Sequence, residues 1–389
     1  MRMRCSTGPN DEGACEVLAR LQSEKQALLQ FKHSLVDEAN RPASWVSEES
    51  DCCKWVGIDC DNITGHVHRI HLPGANGHCH GPYSRNREYE EASRQRLRGD
   101  LSSSLLNLKQ LRHLDLSCND FGGIHIPSFI SSLKNLRYLN LSKSEFGGII
   151  PAQLGNLSEL HVLCLGSFYE QLELTSMTPV ITIELTRMSN MHWLSSLRMM
   201  HHLDLSGVDL SKAIDWLQVI NTLPRLSHEH LSDDKLPRFL QASGNDFMNS
   251  LLVLKELFSV GSNLNFLDIN SCGISSSVLD SLHNLTSLLS LDMSENQLTT
   301  ATPKCKNSPS LESLSISSSG LSGHVPYQLG QLSFLGSLYL GKNLIYGPIW
   351  HSVGRLSSLE ALDLSRNQLN GSMEWIRKLI SLEVLDLLV

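Results

Sequence analysis

The chain has 389 residues, 41% of them hydrophobic but only 6% aromatic, which is too long for one compact core and points to several domains or a repeat array. Its formal net charge of −8 argues against a nucleic-acid partner, which would need a basic face. No run reaches the roughly 18 apolar residues of a membrane-spanning helix.

Taken in chain order, Met1 to Ala14 is polar and charged, lacks the apolar core of a signal peptide, and is expected to be disordered. Residues 15–74 read as a small cap. Within it, Ser23 to Lys32, with Ala27, Leu28, Leu29 and Phe31, predicts an amphipathic helix capped at Ser23. Trp45, the run Asp51 to Cys60 and a strand-like Gly65 to Leu72 follow. Cys15, Cys52, Cys53 and Cys60 suggest a disulfide-stapled unit, and adjacent cysteines pair with each other only under strain. The expected bridges are therefore Cys15–Cys52 and Cys53–Cys60. Residues 75–98 read as a loop.

From residue 99 to the end, one pattern recurs: L-x-x-L-x-L-x-x-[N/C]. It appears as Leu111, Leu114, Leu116, Asn119, then Leu136, Leu139, Leu141, then Leu160, Leu163, Leu165, then Met200, Leu203, Leu205. It resumes at Leu264, Leu267, Ile269, Cys272 and continues from Leu288, Leu311, Leu335, Leu359 and Leu382. Where regular, successive starts lie 23 to 25 residues apart, giving about eleven units in all. In a short strand the L-x-L leucines point to one side and the residues between them to the other. A single unit cannot bury its own leucines, so units must stack into a parallel sheet over a continuous core. Gly147-Gly148 and Pro151, or Gly323 and Pro326, mark the return path of each unit. The array is irregular at 166–183 and 226–262, where Ser250-Leu251-Leu252-Val253-Leu254 reads as the start of a repeat cut short. It breaks off inside a last unit, whose exposed leucines from Leu382 to Leu387 predict aggregation of the isolated chain.

The segment Glu24 to Lys32, the Cys52-Cys53-Lys54-Trp55-Val56-Gly57-Ile58-Asp59-Cys60 run and Thr64-Gly65-His66-Val67 resemble the plant-type leucine-rich-repeat N-terminal domain. The repeats resemble the plant extracellular subclass. Residues 97–165 and 192–223, with Trp193-Leu194-Ser195 and Ser211 to Leu217, are similar to plant receptor-like proteins of the fungal ethylene-inducing xylanase receptor group. The resemblance implies an α/β solenoid: a right-handed leucine-rich-repeat superhelix with short parallel strands on its concave face and a disulfide-bonded N-terminal cap. It further implies the front part of a cell-surface ectodomain that recognises a microbial elicitor or peptide in defence, with a receptor-like kinase as co-receptor. Membrane association would come only through a missing C-terminal segment. A secreted inhibitor of pathogen wall-degrading enzymes is the alternative, and a non-functional truncated gene product is another.

The outward strand positions form columns where solenoids bind partners. One column holds His113, Tyr138, Val162, His202 and Phe266. The next holds Asp115, Asn140, Cys164, Asp204, Asp268, Asp292, Ser315, Tyr339, Asp363 and Asp386. They read either as a recognition strip for a protein or peptide or, for the aspartates, as a structural device bonding neighbouring Ser hydroxyls and backbone. Paired carboxylates of glycosidases stand roughly 5 to 9.5 Å apart, but an open sheet face offers no pocket to tune a pKa, so no enzyme is expected. His66, His68, His71, His78, His80 and Cys79 fit no common zinc spacing, so neither metal nor cofactor is expected. Sequons at Asn62, Asn140, Asn156, Asn284 and Asn370 favour the secretory pathway, and a glycan on Asn140 would obstruct the strip itself.

Overall fold

Apolar side chains spaced two apart in extended backbone face one side, and the strands formed by the repeats obey this rule throughout. The computed structural model describes residues 12–49, 51–74, 94–167, 186–210, 213, 219, 222–223, 239–241, 265–274, 287–298, 310–325, 327–349, 353–371 and 374–387. They fall into two compact units, the first including residues up to Ser167 and the second those from Arg187 on. Both are stacks of leucine-rich-repeat coils.

In chain order the first unit contains helix α1 (Glu12–Ser34) and strands β1 (Leu35–Val36), β2 (Ile58–Cys60), β3 (Val67–His71), β4 (Arg98–Gly99), β5 (His113–Asp115), β6 (Tyr138–Asn140) and β7 (Val162–Cys164). β2 and β3 are antiparallel, whereas β3, β5, β6 and β7 run parallel and in register. Helix α1 starts well before the expected Ser23, and it takes in Glu12 to Ala14 from the stretch expected to be disordered. Residues 14–22 contain no Gly or Pro to stop it, and Ser23 is tolerated inside the helix. Its inner face buries Ala27, Leu28 and Phe31 beside Trp45, which stacks on Trp55 at 5.6 Å. Buried Glu24 accepts from the Val67 amide at 3.0 Å and lies 3.0 Å from His66 Nδ1, while Ser104 Oγ donates to the Ala27 carbonyl at 2.9 Å. The helix thus seals the first coil. The expected loop after the cap ends by residue 98, where Arg98 and Gly99 pair antiparallel with Val36 and Leu35.

Cys53 and Cys60 form the expected bridge. The expected Cys15–Cys52 bridge is corrected: Cys52 is a buried free thiol, and burial together with the nearby Glu24 charge pushes it up to about 11. It is turned into the cap core at the start of the 3₁₀ turn Cys52–Lys54. Cys118 is also disulfide-bonded.

The second unit contains, in order, β8 (His202–Asp204), β9 (Phe239–Gln241), β10 (Phe266–Asp268), β11 (Ser290–Asp292), β12 (Ser313–Ser315), β13 (Ser322–Gly323), β14 (Ser337–Tyr339), β15 (Leu344–Pro348), β16 (Ala361–Asp363), β17 (Gln368–Asn370) and β18 (Val384–Asp386). One parallel sheet takes β8 to β12, then β14, β16 and β18, while β13, β15 and β17 form a second ribbon on the return path. β9 is a rung inside the irregular region, paired in register with β8 and β10. The fragment Ser250 to Leu254 lies outside the described residues, as do residues 168–185, which cover most of the other irregular stretch.

Stacking is what shields the leucines. Leu338 and Leu362, each between two strands, are 0% and 1% exposed, while Leu385 in β18, with one neighbouring strand, is 38% exposed. Each fully buried leucine contributes on the order of 2 kcal/mol. The turn after each strand is equally regular. At the eighth position of the repeat, Cys118, Lys143, Ser271, Glu295, Ser318, Lys342 and Arg366 take φ between 50 and 60°, the left-handed region that non-glycine residues visit only when their surroundings demand it. That twist delivers the ninth residue inward. Asn343 Nδ2 donates to the Ile316 and Leu340 carbonyls, each at 2.9 Å, and its Oδ1 accepts from the Ser319 and Leu321 amides, each at 3.0 Å. Asn296 repeats the arrangement on the Ile269 carbonyl and the Cys272 and Ile274 amides, and Asn119 on the Leu72 carbonyl and the Leu97 amide.

Candidate ligand-binding surface

The in-register pairing turns sequence columns into spatial ones. On the first unit Arg69, His113, Tyr138 and Val162 lie side by side, and so do His71, Asp115, Asn140 and Cys164. On the second unit His202 and, beyond the β9 rung, Phe266, Ser290, Ser313, Ser337 and Ala361 form the first column, and Asp204, Asp268, Asp292, Ser315, Tyr339 and Asp363 the second. Each candidate residue therefore sits on the strand face of its own unit.

Most of the aspartates have a structural occupation. Asp115 Oδ1 accepts from the Ser117 amide at 3.0 Å and from the Ser117 hydroxyl at 2.7 Å. Asp204 and Asp363 hold Ser206 and Ser365 in the same way. Asp268 accepts from the Asn270 amide and side chain, and Asp292 from the Ser294 amide. Each of these carboxylates fixes the turn that follows its strand through Oδ1.

The aromatic residues are better placed to make contacts. His113 and Tyr138 stack with ring centroids 4.0 Å apart and planes 9° from parallel, and His71 approaches His113 at 6.1 Å. Burial, then the adjacent Arg69 charge, lowers the His113 pKa to about 4, so its ring is neutral at physiological pH. Burial and the Asp115 charge raise Tyr138 to about 12. His113 Nε2 is buried without a hydrogen-bond partner. His71 Nδ1 lies 3.2 Å from Asp115 Oδ2, and one donor atom from each of His71, His113 and Asp115 falls within 4.8 Å of the others. Tyr339 is exposed on the second unit, and His202 and Phe266 are half-buried.

Sequence reasoning missed the column at the second repeat position. On the first unit it holds His68, Arg112, Arg137 and His161, each joined to the one before by a backbone hydrogen bond. On the second it runs Asn265, Leu289, Glu312, Gly336, Glu360 and Glu383 in the same manner. The first is basic and the second acidic. The signal was present in the residue after each repeat's first leucine. Beyond the strip, Asn62, Asn156 and Asn370 are exposed, Asn140 is half-buried on the strip with its Oδ1 engaged by Ser142, and Asn284 lies outside the described residues.

The family model described as "Leucine rich repeat N-terminal domain" matches residues 21–61, and "Leucine Rich Repeat" matches 110–133, 135–157 and 358–379. The chain is 32% identical over 326 residues to receptor-like protein EIX1 of Solanum lycopersicum, an alignment that covers 83% of this chain and 26% of the relative. Among solved structures it is similar to the leucine-rich-repeat ectodomain of the Arabidopsis receptor kinase HAESA in complex with an N-terminally extended IDA peptide hormone ligand. That match has a TM-score of 0.65 and 25% identity and covers 95% of this chain and 53% of the other. HAESA in complex with IDA and the co-receptor SERK1 matches with a TM-score of 0.52 at 20% identity, over 90% and 54% of the two chains, and shows the fold alone. The chain thus spans about a quarter of the length of the tomato relative. Among the described residues no helix is long and apolar enough to cross a membrane.

Proposed function

We propose, from the premise that the chain is a leucine-rich-repeat protein resembling plant receptor-like proteins, that it is the ligand-binding portion of a cell-surface receptor. Its ligand is a microbial elicitor or peptide, and a receptor-like kinase completes signalling. The observation that carries this reading is the strand face of the first unit. There a stacked His113–Tyr138 pair sits beside a column of exposed Arg112 and Arg137, while Leu114, Leu139 and Leu163 of the same strands are buried. Rigid aromatics flanked by cations are what a peptide with acidic and apolar side chains requires, and such anchors typically contribute about 2 kcal/mol or more each. The HAESA ectodomain in complex with its peptide hormone supports a peptide ligand. The reading is of a binding module rather than an enzyme, since the carboxylates of the strip stand on an open sheet face and most are engaged in turns.

The test is direct. The chain, secreted with an added leader from plant or insect cells, is screened by surface plasmon resonance against fungal protein elicitors and their peptides. Saturable binding is expected, weakened at least tenfold by Tyr138→Ala and by Arg137→Glu, with unfolding midpoints close to the parent's. Binding that ignores both substitutions, or no binding across the panel, overturns the proposal.

A further inference from the structure

Three metal-type donors meet on the first unit although they are far apart in sequence. β3 and β5 pair so that His71 stands opposite Asp115, and His113 lies two residues from Asp115 on the same strand, hence on the same face. In a tetrahedral zinc site with bonds of about 2.0 to 2.1 Å, donors stand about 3.3 Å from one another. The His71 Nδ1 to Asp115 Oδ2 separation, 3.2 Å, already has that value, and the third donor is within 4.8 Å of both. His113 Nε2 is buried and makes no hydrogen bond, which is costly unless something else satisfies it.

We propose that His71, His113 and Asp115 form a three-ligand site for a divalent transition ion of the zinc class. The donor set of two imidazoles and one carboxylate suits such an ion and does not suit calcium or magnesium, which take oxygen ligands. Supporting contacts orient the ligands. Ser117 holds Asp115 through Oδ1 and leaves Oδ2 to the ion, and Tyr138 stacks against the His113 ring. Arg69, opposite His113 on β3, has its Nε 3.5 Å from Asp59 Oδ2, which offsets part of its charge. Exposed His71 leaves the fourth position open on the strand face, where a ligand carboxylate or water would complete the shell. A spacing pattern along one segment could not reveal this site, because its ligands come from two rungs.

The experiment uses the full chain, stripped with chelator and titrated with zinc against a chromophoric competitor, with cobalt(II) absorption as a second readout. Asp115→Asn keeps the Oδ1 acceptor for Ser117 and removes the metal donor, His113→Phe keeps the stack on Tyr138, and His71→Gln alters an exposed residue that folding tolerates. Each is expected to weaken one zinc equivalent at least tenfold and to abolish the tetrahedral cobalt bands, whereas His125→Gln, at an exposed residue bridged to Gly147 on the return path, leaves both unchanged. Equal stoichiometry and affinity in the parent and His71→Gln, or no zinc binding by the parent at 100-fold the competitor's dissociation constant, overturns the site. Because metal binding is read without any elicitor, this result is independent of the receptor proposal.

Discussion

Replacing Asn343 with leucine tests the internal logic of the coil. Asn343 is buried, and its removal leaves the Ser319 and Leu321 amides and the Ile316 carbonyl without their partner. The Leu340 carbonyl keeps the Asn367 side chain as donor. Three buried backbone groups left unsatisfied at about 1 to 2 kcal/mol each give a loss of about 3 to 6 kcal/mol, which the added apolar side chain does not recover because the site is shaped by backbone dipoles. Asn343→Ser should fall between, since Ser319 shows that a serine at this position donates to the preceding carbonyls but cannot bridge both amides. Urea unfolding followed by circular dichroism measures the loss. Hydrogen exchange at Ser319 and Leu321 locates it, because each coil in a stacked array answers mainly to its neighbours. An Asn343→Leu protein within about 0.5 kcal/mol of the parent, with both amides still protected, would refute the argument.

Two further outcomes are expected. Cys53→Ser with Cys60→Ser opens a short loop whose closure is worth about 2 to 3 kcal/mol, read as a lowered unfolding midpoint under non-reducing conditions. Burial lowers the His202 pKa, so the unfolded chain takes up its proton first. Stability is therefore complete above about pH 6.5 and declines as pH falls below it, and His202→Gln should make that decline less steep, the rest coming from His113, whose pKa is lowered to about 4.

The coil stacking was legible because leucine at fixed spacing has one physical solution, and the ninth-position asparagines were legible because they recur with it. The rung at β9 was not. Pro237 and Ala242 stand where its first and last leucines would be expected, so no pattern survives even though the backbone pairs in register. The start of α1 escaped because Ser23 looks like a cap and the true start lies in a polar stretch. Of the two readings of the aspartates, the structural one accounts for their Oδ1 contacts, which a sequence with serine or asparagine two residues later already hints at. The charged second-position columns could have been read from the residue after each repeat's first leucine, whereas the cluster of His71, His113 and Asp115 was invisible along the chain, because it depends on which residue of one rung stands beside which residue of the next.

Rung-to-rung register also governs how such a surface changes. Since successive strands pair residue for residue, gaining or losing one coil slides everything beyond it by a whole step and never by a fraction. Interior leucines and asparagines then meet equivalent neighbours, and only the outward lettering is reshuffled. Such a molecule can be rewritten by duplication and deletion as readily as by substitution, keeping its scaffold while it samples new surfaces.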